Sequence, residues 1–274
     1  MSSSWTPRIT RPRFNDLYRT GIVGCGTIGS ALGLALQRPP LAGAFRVVAV
    51  SDLDPARAAA LARRLRGPVA ILPLAMLIRR SDLVIEAASA AAAPEIVTRA
   101  LTARRTVLAM SVGGLLSIAA RLRALSRRGG HLLTPSGAIA GLDAVKAGCL
   151  GRLQRVVLTT RKPPAALGLG HLTAPRTLFR GSAARAVRAF PQNINVAATL
   201  ALAGVGPART EVRIIADPAV TRNIHEIEAV GTFGRLTARV ENRPSRENPK
   251  TSQLAILSAQ AALESLASAW RIGT

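Results

Sequence analysis

The chain is poor in several residue types that would each point to a class of protein. Aromatic residues make up 3% of its 274 residues, so platforms for stacking single-stranded bases are scarce. Its two cysteines, Cys25 and Cys149, are too few for a disulfide framework or a zinc cluster. No run of about 18 uncharged apolar residues occurs, and the serine- and arginine-rich start has no apolar segment of a secretory signal. We therefore expect a cytoplasmic protein without a metal site or a membrane span.

Acidic residues are also few: 14 stand against 37 basic residues, and the formal net charge is +23. A basic surface can be the electrostatic footprint of nucleic-acid binding. The basic residues are scattered in ones and twos, however, as at Arg63-Arg64 and Arg127-Arg128. We therefore expect no nucleic-acid partner, and we assign the positive field to the attraction of anionic substrates and cofactors. A non-catalytic nucleic-acid-binding protein remains an alternative.

Lysine is nearly absent, since only Lys146, Lys162 and Lys250 occur among the 37 basic residues. In a chain that otherwise uses arginine, a remaining lysine can mark a place where a compact ammonium fits and a planar guanidinium does not. Lys162 and Lys250 lie in two short motifs, TTRKPP and NPKTS, whereas Lys146 is interpreted as a surface residue.

The sequence does contain a glycine-rich turn, GCGTIG, which follows an apolar stretch and opens an alanine- and leucine-rich helical run. In such a turn the first glycine permits a tight bend, the second lets backbone amides approach a pyrophosphate, and the third brings helix and strand together. The amino end of the helix adds partial positive charge. We therefore predict nucleotide contacts from Gly24, Gly26, Thr27, Ile28 and Gly29.

An acidic residue follows the next predicted strand, Phe45–Val50: Asp52 stands 23 residues beyond Gly29. A carboxylate at the tip of a second strand accepts hydrogen bonds from both ribose hydroxyls of an adenosine and repels a 2′-phosphate. The predicted cofactor is therefore NAD or NADP, with NAD favoured. Arg57 is the residue that could restore NADP binding.

A third predicted strand ends near Glu86, and the loop behind it is a place where parallel sheets bind ligands. Ser89 lies in that loop and is predicted to contact the cofactor. The role of Glu86 stays open between a contact to the ribose or nicotinamide and a buried, hydrogen-bonded acid.

Strand and helix signals alternate through the first half of the chain, as in right-handed βαβ units of a parallel sheet. Later runs alternate apolar and polar residues, as in an antiparallel sheet with one face on a core. The predicted fold class is α/β: an N-terminal Rossmann-type NAD(P)-binding domain, a mixed α+β substrate domain, and a C-terminal helix that returns to the first domain. The predicted boundaries are a flexible basic tail at 1–16, a dinucleotide-binding domain at 17–134 plus 249–274, and the α+β domain at 135–248.

Five short motifs occur in an order that resembles the L-aspartate dehydrogenase family. They are SGAIAGLD at 136–143, TTRKPP at 159–164, FPQNINVAAT at 190–199, DP with NIHEI within 217–227, and ENPKTS at 247–252. The resemblance implies NAD(P)-dependent oxidation of L-aspartate to iminosuccinate, which hydrolyses to oxaloacetate and ammonia. In some organisms the imine feeds NAD biosynthesis instead. The resemblance also implies a homodimer, formed by the α+β domain.

By the same resemblance, the family's catalytic histidine matches His225. The family's contacts to the nicotinamide nucleotide match an alanine and an asparagine of this chain. We assign them to Ala138 and Asn195, with Ala140 and Asn193 as the alternatives. Independently of the family, an imidazole with a pKa near neutrality suits the activation of water or the transfer of a proton at an imine. The other two histidines, His131 and His171, lie outside any motif and are interpreted as structural.

Aspartate carries two carboxylates, and charges in a partly dry site must be paired. Lys162 and Lys250 are therefore predicted to bind the substrate, together with Asn193. Arg161 would point to the opposite face if its segment is a strand. Structural roles for the lysines stay open, and Asp217 is either an orienting residue or a turn residue. A related dehydrogenase or reductase for another anionic metabolite, or a non-catalytic NAD-binding protein, remains an alternative function.

Overall fold

The computed structural model describes residues 17–190, 195–245, 248 and 251–273. The predicted flexible tail at 1–16 lies outside the described residues. The chain divides into two compact units, Met1–Ala109 with Ile118–Leu133, and Met110–Ser117 with Thr134–Thr274. Each unit has a sheet of its own.

The first unit is built on a six-stranded parallel sheet in the order β3-β2-β1-β4-β5-β6. The strands are β1 (Tyr18–Val23), β2 (Phe45–Ser51), β3 (Ala70–Ile71), β4 (Leu83–Glu86), β5 (Thr106–Ala109) and β6 (His131–Leu133). The order reverses between β1 and β4, which is the switch point where doubly wound sheets bind nucleotides. The predicted Rossmann-type fold is confirmed.

Helices connect these strands, as the predicted βαβ alternation requires. They are α1 (Thr27–Ala35), α2 (Pro55–Arg64), α3 (Leu74–Arg80), α4 (Ala93–Thr102), the short α5 (Val112–Leu115) and α6 (Ala119–Ser126). The start of α2 has a clear local cause, because the Asp54 carboxylate accepts the N–H groups of Ala56 and Arg57 and Pro55 is the first helical residue. Helix α3 was not predicted, because its seven residues are too few to show a helical period.

The second unit contains a five-stranded sheet in the order β11-β10-β7-β9-β8. The strands are β7 (Leu153–Lys162), β8 (Arg176–Ser182), β9 (Thr210–Ala216), β10 (Asn223–Gly231) and β11 (Gly234–Asn242). The alternating pattern predicts an antiparallel sheet, but β7 and β9 are parallel, so the sheet is mixed. The two strands are parallel because they are not joined by a hairpin. Strand β8 and two helices lie between them in the chain and return it, so that β9 runs in the same direction as β7.

One face of this sheet packs on helices α7 (Leu142–Gly148), α8 (Ala183–Ala189) and α9 (Asn195–Ala203). Alternate residues of the central strands, such as Leu158 and Ile227, form the core with the alanines of α9. The opposite face carries arginine and glutamate side chains in ion pairs. Among the described helices, none combines the length and apolar character needed to cross a membrane.

The two units differ from the predicted domains in two segments. Helix α10 (Gln253–Ala267), predicted with the first domain as part of 249–274, is grouped with the second unit, and so is α5. Hydrogen bonds within the second unit explain both assignments. The Gly137 N–H donates to Ser258 Oγ on α10 at 3.0 Å, and the Gly113 N–H of α5 donates to Asn195 Oδ1 at 2.9 Å.

Candidate active site

The glycine-rich turn links β1 to α1, and its three glycines meet different steric conditions. Gly24 has a φ of +94°, which side chains disfavour, and a Cβ there would overlap the backbone of Ala87 and Ala88 after β4. A Cβ on Gly29 would overlap the carbonyl oxygen of Gly24. A Cβ on Gly26 would meet no protein atom within 4 Å. The fold therefore requires the first and third glycines, whereas the second borders open space.

That open space lies at the amino end of α1. Gly26 is the N-cap residue, and no side chain caps the helix. The first N–H groups of a helix lack intrahelical partners, and here they belong to Thr27 and the half-buried Ile28. An anion placed there would receive these N–H groups and the partial positive charge of the helix. The turn therefore fits a dinucleotide pyrophosphate, and contact by these residues stays a prediction.

Asp52 follows β2, and backbone groups anchor its carboxylate. Oδ2 accepts the N–H of Cys25 at 2.6 Å, and Oδ1 accepts the N–H of Asp54 at 2.9 Å. The side chain therefore ties the glycine-rich turn to the end of β2. The Cys25 thiol is buried here, and burial, followed by the charge of Asp52, raises its pKa to about 12. This thiol is therefore not a reactive nucleophile.

Glu86 and Ser89 flank the end of β4. Glu86 is fully buried, and its Oε1 accepts the N–H of Ala88 at 3.0 Å, which supports the interpretation as a buried, hydrogen-bonded acid. Ser89 is exposed, and its Oγ accepts the N–H of Ala92 at 3.2 Å. Ser89 thus stabilises the turn before α4, and its contact with a cofactor stays a prediction.

Alanine substitutions at Gly26 and Gly29 should distinguish a position that borders the bound nucleotide from one that is needed for packing of the fold. We expect Gly26→Ala to keep the wild-type melting temperature while weakening NADH binding about tenfold or more, because its methyl group enters only the open space. Gly29→Ala should also weaken NADH binding, and in addition it should lower the free energy of unfolding by about 1–3 kcal/mol, because α1 must move away from the turn. Thermal unfolding and NADH fluorescence titration measure the two effects. Equal loss of stability in both variants would contradict this assignment.

His225 on β10 lies directly opposite Thr160 on β7. The Thr160 Oγ1 and His225 Nδ1 atoms are 2.9 Å apart, and the two residues are only 3% and 7% exposed. The next pair along the same face, Leu158 and Ile227, belongs to the hydrophobic core. The Thr160 hydroxyl therefore holds the imidazole at the border of the core.

Lys162 ends β7 two residues after Thr160, and therefore lies on the same face of the sheet. It is buried, and burial lowers the pKa of its ammonium. Burial also lowers the pKa of His225, to about 4, and the charge of Lys162 is the second cause. The structure thus brings the predicted catalytic histidine together with one of the two predicted substrate lysines.

The low pKa of His225 makes stability depend on pH. An unfolded histidine binds a proton near pH 6.5, whereas His225 in the folded protein does so only near pH 4. Between these two pH values the unfolded state therefore binds more protons than the folded state. As the pH drops through this range, the free energy of unfolding should fall by up to about 3 kcal/mol. His225→Gln should remove that slope in urea unfolding, whereas a matched change at the exposed His171 should keep it. A wild-type slope in His225→Gln would refute the assignment.

Arg161 points to the opposite face of β7, as the alternation predicts. Its guanidinium lies 3.1 Å from the Asp217 carboxylate and 3.7 Å from that of Glu226. Asp217 also accepts the N–H of Ala219 at 3.0 Å, and its own N–H donates to the carbonyl of Lys162 at 2.9 Å. Asp217 therefore stabilises the turn after β9 and holds Arg161.

The predicted nucleotide contact Ala138 is buried, and side chains hold its backbone. The Asn242 Nδ2 donates to the Ala138 carbonyl at 3.1 Å, and Ser252 Oγ donates to Asn242 Oδ1. The neighbouring Gly137 N–H donates to Ser258. The end of β11 and the start of α10 thus fix the position of this segment.

Asn195, the other predicted nucleotide contact, begins α9 and is exposed. Its Oδ1 accepts the N–H of Gly113, which defines the orientation of the amide. The Nδ2 group is then the part of the side chain that can donate to a carboxamide or carboxylate oxygen.

Five further residues carry predictions from the sequence, either as site residues or as structural histidines. Asn193 and Lys250 lie outside the described residues, so their roles stay predictions. Ala140 and His171 are exposed, and His131 lies on β6 in the first unit. In the described part of the chain, no group of three or more His, Cys, Asp and Glu side chains could hold a metal ion.

Two residues of this arrangement were not predicted from the sequence, Thr160 and Asn242. Thr160 lies in the TTRKPP motif two residues before Lys162, so the strand period could have placed both on one face. Its partner His225 follows only from the register of β7 and β10. Nothing in the sequence around Asn242 marks its contact with Ala138, 104 residues earlier in the chain.

Comparison with known families assigns both halves of the chain. The family described as "Homoserine dehydrogenase, NAD binding domain" matches residues 24–135, and the family described as "Aspartate dehydrogenase, C-terminal" matches residues 143–266. The first match covers the glycine-rich turn, and the second covers Thr160, Lys162 and His225.

Relatives match over nearly the whole length. L-aspartate dehydrogenase 3 of Bordetella bronchiseptica is 42% identical, covering 92% of this chain and 96% of the relative. L-aspartate dehydrogenase of Methanosarcina barkeri is 42% identical over 94% of this chain and 100% of its own length. The crystal structure of aspartate dehydrogenase from Thermotoga maritima is 26% identical, with a TM-score of 0.75, and covers 94% of this chain and 100% of that one. The chain therefore belongs to the L-aspartate dehydrogenase family and is an oxidoreductase that uses a pyridine nucleotide.

Proposed function

We propose that this protein oxidises L-aspartate to iminosuccinate with NAD as the favoured hydride acceptor, and that iminosuccinate then hydrolyses to oxaloacetate and ammonia. The observation that carries the proposal is the buried group formed by Thr160, Lys162 and His225. It combines a cation for an anionic substrate with a neutral imidazole for proton transfer. The reaction is reversible, so oxaloacetate with ammonia is the substrate pair in the other direction.

Lys162 is suited to bind a substrate carboxylate. Its ammonium is buried, and burial lowers its pKa. A carboxylate entering beside it would stabilise the charge, so binding an anion is favoured over binding a neutral molecule. Lys162 also lies close enough to the imidazole for its charge to act on His225.

His225 is suited to exchange protons with the substrate. At neutral pH its ring is neutral, so a ring nitrogen can accept a proton from the substrate ammonium before the Cα hydride leaves. When the substrate carboxylate offsets the charge of Lys162, one of the two causes of the low pKa is removed. Once the first proton has passed to solvent, the same ring can take a proton from the water that attacks the imine and return it to the nitrogen of the resulting carbinolamine. Ammonia leaves as the carbonyl of oxaloacetate forms.

The pyridine nucleotide would be held by the residues predicted from the sequence. Gly24, Gly26 and Gly29 with the amino end of α1 would hold the pyrophosphate, Asp52 would accept from the ribose, and Ser89 is a further contact. Ala138 and Asn195 would contact the nicotinamide part. The nucleotide, when bound, supplies the carbon that accepts a hydride from the substrate Cα.

The preference for NAD over NADP should depend on the charge of Asp52. Because its carboxylate also ties down Cys25, Asp52→Ala would loosen the turn for both nucleotides. Asp52→Asn keeps an acceptor oxygen and removes the charge. We expect the ratio of kcat/KM for NAD to that for NADP to fall about tenfold, equivalent to about 1.4 kcal/mol. An unchanged ratio would refute the role of this charge.

A homodimer in the cytoplasm is part of the proposal. The outer face of the second sheet carries charges of both signs, as where Arg155 contacts Glu228 at 3.2 Å and Arg213 contacts Glu211 at 2.8 Å. A surface of mixed sign can pair with its own copy across a two-fold axis. Sedimentation should then give twice the chain mass.

The cysteines support the proposed cytoplasmic location. Both are free thiols, which suits a reducing compartment.

An absorbance assay with a panel of substrates tests the function. We expect NADH from L-aspartate, and little or none from D-aspartate, L-glutamate or L-homoserine. In the reverse direction, oxaloacetate with ammonia should consume NADH. No NADH from L-aspartate, and none consumed in reverse, would reject the proposal, and activity only with L-homoserine would point to a related dehydrogenase.

A further inference from the structure

The hydrogen bond between Thr160 and His225 has chemical consequences beyond joining two strands. We propose that Thr160 is a positioning residue whose hydroxyl can either donate to or accept from Nδ1, so that Nε2 of His225 can both take up and release a proton. The proposal rests on the acid–base role of His225 in the proposed function.

The placement of the pair fixes the imidazole ring. His225 and Thr160 are directly opposed in the antiparallel β7–β10 pairing, and both are buried. Threonine is β-branched and holds its χ1 rotamer in a strand, so its hydroxyl has a defined position. Leu158 and Ile227 fill the next position on the same face. The Nδ1 nitrogen is therefore bound on the strand side, which leaves Nε2 for the substrate.

A hydroxyl is unusual among possible partners because it serves every protonation state of the ring. It donates to an unprotonated Nδ1, in which case Nε2 carries the proton. It also accepts from Nδ1–H, in which case Nε2 has a free electron pair, and it accepts from the imidazolium. A carboxylate could only accept, would stabilise Nδ1–H and would raise the histidine pKa. Thr160 therefore allows the proton on Nε2 to come and go without a buried ion pair.

The charges around His225 support a neutral partner. Lys162, on β7, lies on the same face of the sheet as His225 on β10. Arg161 and Glu226 lie on the other face, where Arg161 pairs with Asp217 in the turn after β9. On β11 the residue opposite His225 is the uncharged Val240. The structure describes every residue of β7, β9, β10 and β11. No acidic side chain on these four strands lies on the face of His225, so none of them offers a carboxylate to Nδ1 in place of the Thr160 hydroxyl.

Kinetics of variants of the full-length protein test the proposal. Thr160→Val should lower kcat with L-aspartate about tenfold or more, the rate equivalent of one hydrogen bond, with little change in the KM for NAD. Thr160→Ser keeps the hydroxyl and should restore kcat to within about threefold of wild type, whereas Thr160→Ala should not. Thr159→Val is the matched control on the opposite face and should behave as wild type. Wild-type kcat in Thr160→Val, or equal loss in Thr160→Ser and Thr160→Ala, would overturn the proposal.

The ring nitrogens of His225 provide a readout that does not depend on activity. The chain has three histidines, so the signals of ¹⁵N-histidine-labelled protein can be assigned with His131 and His171 variants. At neutral pH we expect Thr160→Val to change the balance between the Nδ1–H and Nε2–H tautomers of His225, and Thr159→Val to leave it unchanged. Identical ¹⁵N shifts in Thr160→Val and wild type would overturn the proposal even if kcat falls.

The same data distinguish failure of this proposal from failure of the proposed function. If His225→Ala abolishes turnover while Thr160→Val does not slow it, His225 is the acid–base group and Thr160 has no part in its chemistry. If His225→Ala turns over at the wild-type rate, the proposed acid–base role is wrong and so is the proposal for Thr160, whatever the tautomers show.

Discussion

Replacing His225 with alanine is expected to lower turnover with L-aspartate by about 10²–10⁴-fold, the usual contribution of a positioned acid–base group. In the proposed function, the neutral imidazole, held at Nδ1 by Thr160, accepts the proton that must leave the substrate ammonium. Reductive amination should slow as well, because the same proton is returned in that direction. The kcat values in both directions, measured at saturating substrate, give the effect.

Two controls separate chemistry from folding and nucleotide binding in the His225 variant. NADH should bind with close to wild-type affinity, because the glycine-rich turn and Asp52 belong to the first unit and are unchanged. His171→Ala, at an exposed histidine, should keep wild-type turnover. Near-normal turnover of folded, NADH-binding His225→Ala in both directions would make the acid–base assignment wrong.

Replacing Lys162 with methionine is expected to lower kcat/KM for L-aspartate about 10²-fold or more, because under the proposed function a buried substrate carboxylate then lacks its cation. Methionine keeps the length and apolar contacts of the lysine stem and removes only the charge. The pKa of His225 should rise in this variant, since the second cause of its depression is gone. Initial rates over a range of aspartate concentrations, at saturating NAD, give kcat/KM.

Other lysine variants define the specificity of this effect. Lys146→Met changes an exposed lysine on α7 by the same substitution and should leave kcat/KM unchanged. Lys162→Arg keeps the charge but must fit a planar guanidinium into a buried position, so we expect only partial recovery. A Lys162→Met variant with the wild-type KM for L-aspartate would show that another residue binds the carboxylates.

The nucleotide-binding unit was the part of the fold most accessible from the sequence. The spacing of the three glycines, the following helix and Asp52 are local features. The structure places the glycines after β1, at the reversal between β1 and β4, and Asp52 after the neighbouring β2. The sequence did not reveal that Asp52 also binds the N–H of Cys25, because that contact closes only when β1 and β2 pair.

The second unit was less accessible, because its site depends on pairing between distant strands. The strand period puts Lys162 and Thr160 on one face, but His225 is 65 residues beyond Thr160 and joins them only through the β7–β10 register. The parallel β7–β9 pair was likewise hidden, since alternation of apolar residues is the same in parallel and antiparallel strands with one buried face. His225 itself was assigned through the resemblance in NIHEI.

The central claim is that a hydride passes from the Cα of L-aspartate to the nicotinamide, and isotope transfer tests it most directly. The protein is incubated with NAD and L-aspartate that carries deuterium at Cα, and the reduced nucleotide is analysed by NMR. We expect one deuterium at C4 of the nicotinamide for each oxaloacetate formed, with no transfer from the same label in D-aspartate. Reduced nucleotide without deuterium, or oxaloacetate formed without reduction of the nucleotide, would contradict the account.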